Sequence, residues 1–154
     1  MLRQISELPA DKRIAGVHVV PFTDDGQIVM GWNRERGLLE TIGGRIEARE
    51  TIEQALQREA REEAGVRLVG PFTPFASWYW ESTDTYTVWF VARVAGFEPI
   101  PDGFETTGRV VCNVETAQGI IQHLAADPAR ELRLTYLAWA ASCQRGSGRS
   151  GTAG

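Results

Sequence analysis

Apolar, β-branched residues concentrate in two early runs, "AGVHVVPF" (Ala15–Phe22) and "QIVMGWN" (Gln27–Asn33). The polar stretch "TDDG" between them is a strong turn signal, so the two runs predict a β-hairpin. From Arg34 to Glu47 the chain reads as a loop with one short extended piece ending in Gly43–Gly44. The pattern then changes to a helical one in "TIEQALQREAREEAG". Thr51 is a good N-cap, Gln54 three residues on completes a capping box, and Gly65 is a natural stop, which predicts a helix over 51–64. Beyond it "VRLVGPF", "FASWYWES" and "TYTVWFVARVAG" read as strands, the last long, β-branched and aromatic. "PIPDGFETTG" reads as an irregular loop and "RVVCNV" as a short strand. "ETAQGIIQHLAAD" and "ARELRLTYLAWAASC" carry helical periodicity. The Gly/Ser-rich residues 144–154 predict a flexible tail behind one domain of residues 1–143. Several strands with one central and one or two late helices predict an α/β fold, a sandwich with a mixed sheet.

Composition narrows the partners more than the fold. A length of 154 residues suits one domain with one core. The net charge of −4 gives no general attraction to a nucleic acid polymer or an anionic membrane. An anionic small-molecule substrate would therefore need a local source of positive charge. Cys112 and Cys143 lack metal-like spacing and read as reduced, apolar residues. The first residues contain no apolar signal core, and no run approaches the roughly 20 apolar residues of a membrane span. These features predict a cytoplasmic protein.

The chemistry is suggested by where the helix puts its acids. At about 100° per residue, Ile52, Ala55, Leu56 and Ala60 form one apolar stripe. Glu59 and Glu63 fall inside that stripe, Glu62 lies on its edge, and Gln54, Gln57 and Arg61 occupy the far side. An amphipathic helix ordinarily keeps acids off its buried face, and like charges four residues apart repel. These carboxylates need a compensating cation. Arg58 and Arg61 could supply it on a solvated helix end, whereas a divalent metal concentrates more charge and accepts several oxygens. Gly43–Gly44 lie upstream, and glycines let a backbone approach a phosphate or lend a carbonyl to a metal.

"GGRIEARETIEQALQREAREEAGV" resembles the Nudix box of the Nudix hydrolases, with Gly44, Glu50, Arg58, Glu59, Glu62, Glu63, Gly65 and Val66 at its fixed positions. Ala60 stands where the family usually has Ile, Leu or Val, a change expected to alter packing and not activity. The resemblance implies a Nudix-type α/β/α sandwich with a mixed β-sheet and a central catalytic loop-helix. It implies hydrolysis of a pyrophosphate bond in a nucleoside diphosphate derivative with Mg²⁺ or Mn²⁺. Glu59, Glu62 and Glu63 would be metal ligands, joined by the Gly43 carbonyl, and Arg58 would hold a carboxylate of the box such as Glu50. Glu47 is open between an outer metal contact and an exposed loop residue. The general base is a box glutamate in some members and a later acid in others, which makes Glu105 a candidate. Gly108 occupies the place of a second acid often found there.

Trp78 and Trp80 share a strand face and could stack on a nucleobase or fill the core. Arg34, Arg36 and Arg45 could meet substrate phosphates or remain solvated. His18, in a β run, is expected to be packed and His123 to lie on a helix surface. The markers of ADP-ribose, dinucleoside polyphosphate and coenzyme A hydrolases are missing or imperfect. A nucleoside triphosphate, as in MutT-like members, is therefore the expected substrate, with ADP-ribose or a nucleotide sugar as alternatives. A non-catalytic Nudix binding module is the competing reading, although such modules usually lose a metal glutamate. An isomerase use of the fold would need a catalytic cysteine in a strand, for which Cys112 is the candidate. The resemblance also admits a homodimer.

Overall fold

The computed structural model describes residues 1–104 and 106–150, with side chains at 106, 107 and 145–150 outside the description. The strands are β1 (Leu2–Gln4), β2 (Arg13–Phe22), β3 (Ile28–Asn33), β4 (Leu38–Glu40) and β5 (Ile42–Arg45), followed by helix α1 (Ile52–Ala64). After it come β6 (Val66–Trp80), β7 (Thr85–Phe97), β8 (Thr106–Cys112), α2 (Val114–Leu124) and α3 (Pro128–Ser150). The sheet runs β1-β6-β7-β2-β3-β4, with β5 paired to β2 and β8 to β3. β2 and β7 are parallel, while β2 and β5 are antiparallel, so the sheet is mixed as expected.

Alternation along the strands divides the core between two faces. Val17 and Val19 of β2 and Val88, Phe90 and Ala92 of β7 pack with Ala55, Leu56 and Ala60 of α1. Val20, Phe22, Trp89 and Val91 join Ile121 of α2 and Leu134, Leu137 and Ala138 of α3. The sheet is thus filled on both faces, an α/β/α sandwich.

Several boundaries differ from the sequence reading. β1 carried no local signal and exists through its pairing of Leu2–Gln4 with Ala76–Trp78. The two expected strands around Pro71 and Pro74 are one strand, β6, which accommodates them at register shifts against β7. β8 begins at Thr106, earlier than "RVVCNV" suggested. α3 continues to Ser150, so the segment expected to be a flexible tail from residue 144 is helical as far as it is described. Extending a packed helix avoids a new nucleation cost, which lets poor helix formers join its end. No helix among the described residues is long and apolar enough to cross a membrane.

Candidate active site

α1 is anchored along its whole length. Thr51 Oγ1 accepts from the Gln54 N–H at 3.1 Å, and Gln54 Oε1 accepts from the Thr51 N–H at 2.9 Å, which is the expected capping box. Gly65 closes the helix at φ 60°, and a Cβ there would sit 2.2 Å from the Glu98 carbonyl oxygen. Gln57, read as a residue of the polar side, instead bridges to β6. Its Nε2 donates to the Leu68 carbonyl at 2.7 Å and its Oε1 accepts from the Leu68 N–H at 3.1 Å. Arg109 Nη1 donates to the carbonyls of Ala64 and Glu98 at 3.1 and 2.8 Å, tying the helix end to β7 and β8.

Arg58 is the hub of the acidic face. Its Nε and Nη2 donate to the two oxygens of Glu50 at 2.7 and 3.0 Å, the fork expected from the box. Nη1 reaches Glu59 Oε1 at 2.8 Å and Glu62 Oε2 at 3.3 Å, and Nη2 also donates to the Arg45 carbonyl at 3.0 Å. Glu47, at 66% side-chain exposure, stands 3.7 Å from Nη1. These hydrogen bonds hold the Glu50 carboxyl below its usual range and raise the already basic guanidinium further. Glu59 is only 8% exposed, and burial pushes its carboxyl up despite Arg58. Glu63 accepts from the Gly43 N–H at 3.0 Å, yet burial, with the charges of Glu59 and Glu40, pushes it up to about 8.

The glycine pair makes room for this cluster. β5 pairs Gly43 and Gly44 with His18 and Val17 of β2. A Cβ on Gly44 would lie 2.5 Å from Glu59 Oε1, and one on Gly43 2.4 Å from the His18 ring. His18 itself stacks on Trp89 with ring centroids 5.2 Å apart, and burial with the nearby Arg130 charge lowers its pKa to about 4. It is therefore packed, as expected.

Among the described residues no three His, Cys, Asp or Glu side chains converge as they would around a bound ion. Glu59 and Glu62 are turned onto Arg58 and Glu63 onto the Gly43 amide. The donor set nevertheless fits a hard divalent ion. All donors are oxygens, and Glu59, Glu62 and Glu63 lie at i, i+3 and i+4 on α1 with Gly43 of β5 opposite Glu63.

A cavity of about 810 Å³ lies between the Arg45–Arg49 loop, the start of β2 and the β6–β7 turn, joined to the cluster through Glu47, which lines it and stands 3.7 Å from Arg58 Nη1. Arg45 and Trp80, two of the expected substrate contacts, line it. Trp80 is 41% exposed and its indole N–H donates to Thr87 Oγ1 at 2.9 Å, which fixes the ring. Trp78 instead packs against the core on the α2/α3 face, with its ring 5.6 Å from Trp80. Arg34 is exposed in the β3–β4 turn and does not line this cavity. Glu105 lies outside the described residues. Arg13 and Arg49 also line the cavity and carried no sequence signal. Burial pushes the Cys112 thiol up, the opposite of an activated nucleophile.

A mixed-sheet α/β/α sandwich whose glycine strand faces an arginine-tied glutamate helix defines a Nudix-type protein. The family model described as NUDIX domain matches residues 12–135, and the chain belongs to the Nudix family. The NAD-capped RNA hydrolase NudC of Stutzerimonas stutzeri is 34% identical over 102 residues, covering 66% of this chain and 34% of that protein. The chain thus spans about a third of that relative. Among solved structures, a NUDIX family hydrolase from Clostridium perfringens superposes with a TM-score of 0.62 at 20% identity, covering 83% of this chain and 97% of that one. A mutant of the Bacillus subtilis pyrophosphohydrolase BsRppH gives a TM-score of 0.59 at 22% identity, covering 71% and 70%.

Proposed function

We propose that the chain hydrolyses a pyrophosphate bond in a nucleoside diphosphate derivative. The observation that carries this reading is the intact Glu50–Arg58–Glu59–Glu62 network beside Glu63 and the Gly43 amide. Phosphoryl transfer asks a protein for positioning and charge neutralisation more than for covalent chemistry. Glu59, Glu62 and Glu63, with the Gly43 carbonyl, would hold Mg²⁺ or Mn²⁺. Such an ion neutralises phosphate charge and lowers the pKa of bound water. Arg58 orients Glu59 and Glu62, and the Gly43 N–H orients Glu63. Arg45 and Trp80 meet the substrate in the adjoining cavity, and Glu105 or a box glutamate serves as the base. A nucleoside triphosphate remains the expected substrate. The resemblance to an NAD-capped RNA hydrolase adds NAD-capped RNA to the alternatives, beside ADP-ribose.

The test is release of phosphate, pyrophosphate or nucleoside monophosphate from these compounds with Mg²⁺ or Mn²⁺. Metal-dependent turnover of any one supports the hydrolase. Silence across the panel, with nucleotide still bound, would transfer the reading to a non-catalytic binding module.

A further inference from the structure

The cavity that Glu47 joins to the acidic cluster is lined by more positive than negative side chains. Arg13, Arg45 and Arg49 line its wall, and Glu47 is the carboxylate that accompanies them, 3.7 Å from Arg58. None of the three arginines has an ion pair or side-chain hydrogen bond among the described residues. Three unpartnered guanidiniums around one cavity, in a chain of net charge −4, form a local anion trap.

The trap is built by the sheet. β2 lies between β5 and β7, so Arg45, Gly16 and Thr87 occupy one row of paired positions, and Arg13 pairs with Thr85. Gly16 keeps the middle of the row low, since a Cβ there would lie 3.1 Å from Thr87 Oγ1. Trp80 forms a side wall with its ring held by Thr87. Arg49 is placed by backbone strain. Its φ is 69°, a left-handed conformation uncommon for a side chain of this size, and such outliers cluster where function over-determines the backbone.

We propose that Arg13, Arg45 and Arg49 form a subsite for a phosphate of the substrate that is not part of the scissile pyrophosphate, with an aromatic ring of the same ligand against Trp80. The anion site stands on the cavity alone, and its place in catalysis rests on the hydrolase reading above. It selects nucleotides with three or more phosphates over ADP-ribose, which has two. A nucleoside triphosphate and a dinucleoside polyphosphate both supply that chemistry.

Two measurements test it separately. The first is titration of the metal-free protein with inorganic tripolyphosphate, read by tryptophan fluorescence, with Trp80→Phe assigning the signal. Arg49→Gly suits the left-handed backbone and removes the whole side chain with its guanidinium, and Arg13→Gln removes a second charge. Each variant is expected to weaken binding at least tenfold while its circular dichroism and thermal midpoint match or exceed the wild type. Unchanged binding in both variants overturns the subsite.

The second compares kcat/KM for ATP, diadenosine tetraphosphate and ADP-ribose. The expected result is that both variants lose at least five times more on the polyphosphates than on ADP-ribose, through KM. Preference for ATP over diadenosine tetraphosphate, or the reverse, identifies the source of the phosphate. Equal losses on all three substrates overturn the proposal while leaving the hydrolase intact. Arginine-dependent tripolyphosphate binding without hydrolysis of any nucleotide keeps the subsite and removes the hydrolase reading.

Discussion

Replacing Arg58 by alanine removes the one cation that touches Glu50, Glu59 and Glu62 together among the described residues. The loss falls hardest on Glu59, whose side chain is 11% exposed and whose carboxyl burial already pushes up. Stripping the charged partner from a carboxylate in that environment costs about 2–4 kcal/mol, the lower part of the range reflecting residual water access. For a domain of this size, each kcal/mol moves the thermal midpoint by roughly 2–4 °C, so Arg58→Ala should melt about 5–15 °C below the wild type. Scanning calorimetry at neutral pH in a chelator reads the shift directly. Arg58→Lys keeps a charge but cannot fork onto Glu50, and should fall between the two. Adding Mg²⁺ should recover part of the loss in Arg58→Ala, because a bound ion returns positive charge to the same oxygens. A variant melting within about 1 °C of the wild type would refute the idea that Arg58 holds the acidic face together.

Three further outcomes follow from the same geometry. Glu62→Gln preserves volume and removes a proposed ligand charge, so turnover should fall by roughly two orders of magnitude or more with the melting midpoint nearly unchanged; wild-type turnover would end the ligand assignment for Glu62. Gly44→Ala places a methyl 2.5 Å from Glu59 Oε1 and 2.9 Å from its Cδ. The flexible carboxylate can yield, so stability should change little while activity falls at least about tenfold through its displacement, and an unaffected kcat/KM would count against the glycine–glutamate contact. Glu131 is buried beside Arg130 with Oε2 unpartnered, and burial pushes its carboxyl above the usual range. The folded state therefore holds this proton more tightly than the unfolded state, so the associated stability is present at low pH and lost as pH rises through the folded pKa. Glu131→Gln should shrink the stability difference between mildly acidic and mildly alkaline pH in urea titrations; an unchanged difference would place the effect elsewhere.

Legibility followed the range of the interaction. Helix α1 was readable because its start and stop are local, with Thr51 and Gln54 bonded across three residues and Gly65 in the left-handed region. The continuity of β6 was not, because Gly70, Pro71 and Pro74 read as breakers and only the partner strand β7 reveals the register shifts that absorb them. Gln57 looked solvated by helical angle, yet Leu68 of the next strand claims both ends of its amide. Arg13 and Arg49 carried no signal because their convergence depends on β2 lying between β5 and β7.

The same dependence explains why three glutamates that looked alike along the helix acquire different environments. The sequence placed Glu59, Glu62 and Glu63 near one meridian but could not say what each would face. β5 brings Gly44 under Glu59 and the Gly43 amide to Glu63, while Glu62 keeps 21% side-chain exposure beside Arg58. The opposing strand leaves room for both acids, offering an amide to Glu63 and no side chain to Glu59. The glycine pair and the acidic stripe are therefore one feature, split along the chain and rejoined by the β2–β5 pairing. A substitution at Gly44 should consequently disturb Glu59 as directly as a substitution on the helix itself, whereas one at Gly43 meets the His18 ring and the Val17 carbonyl first.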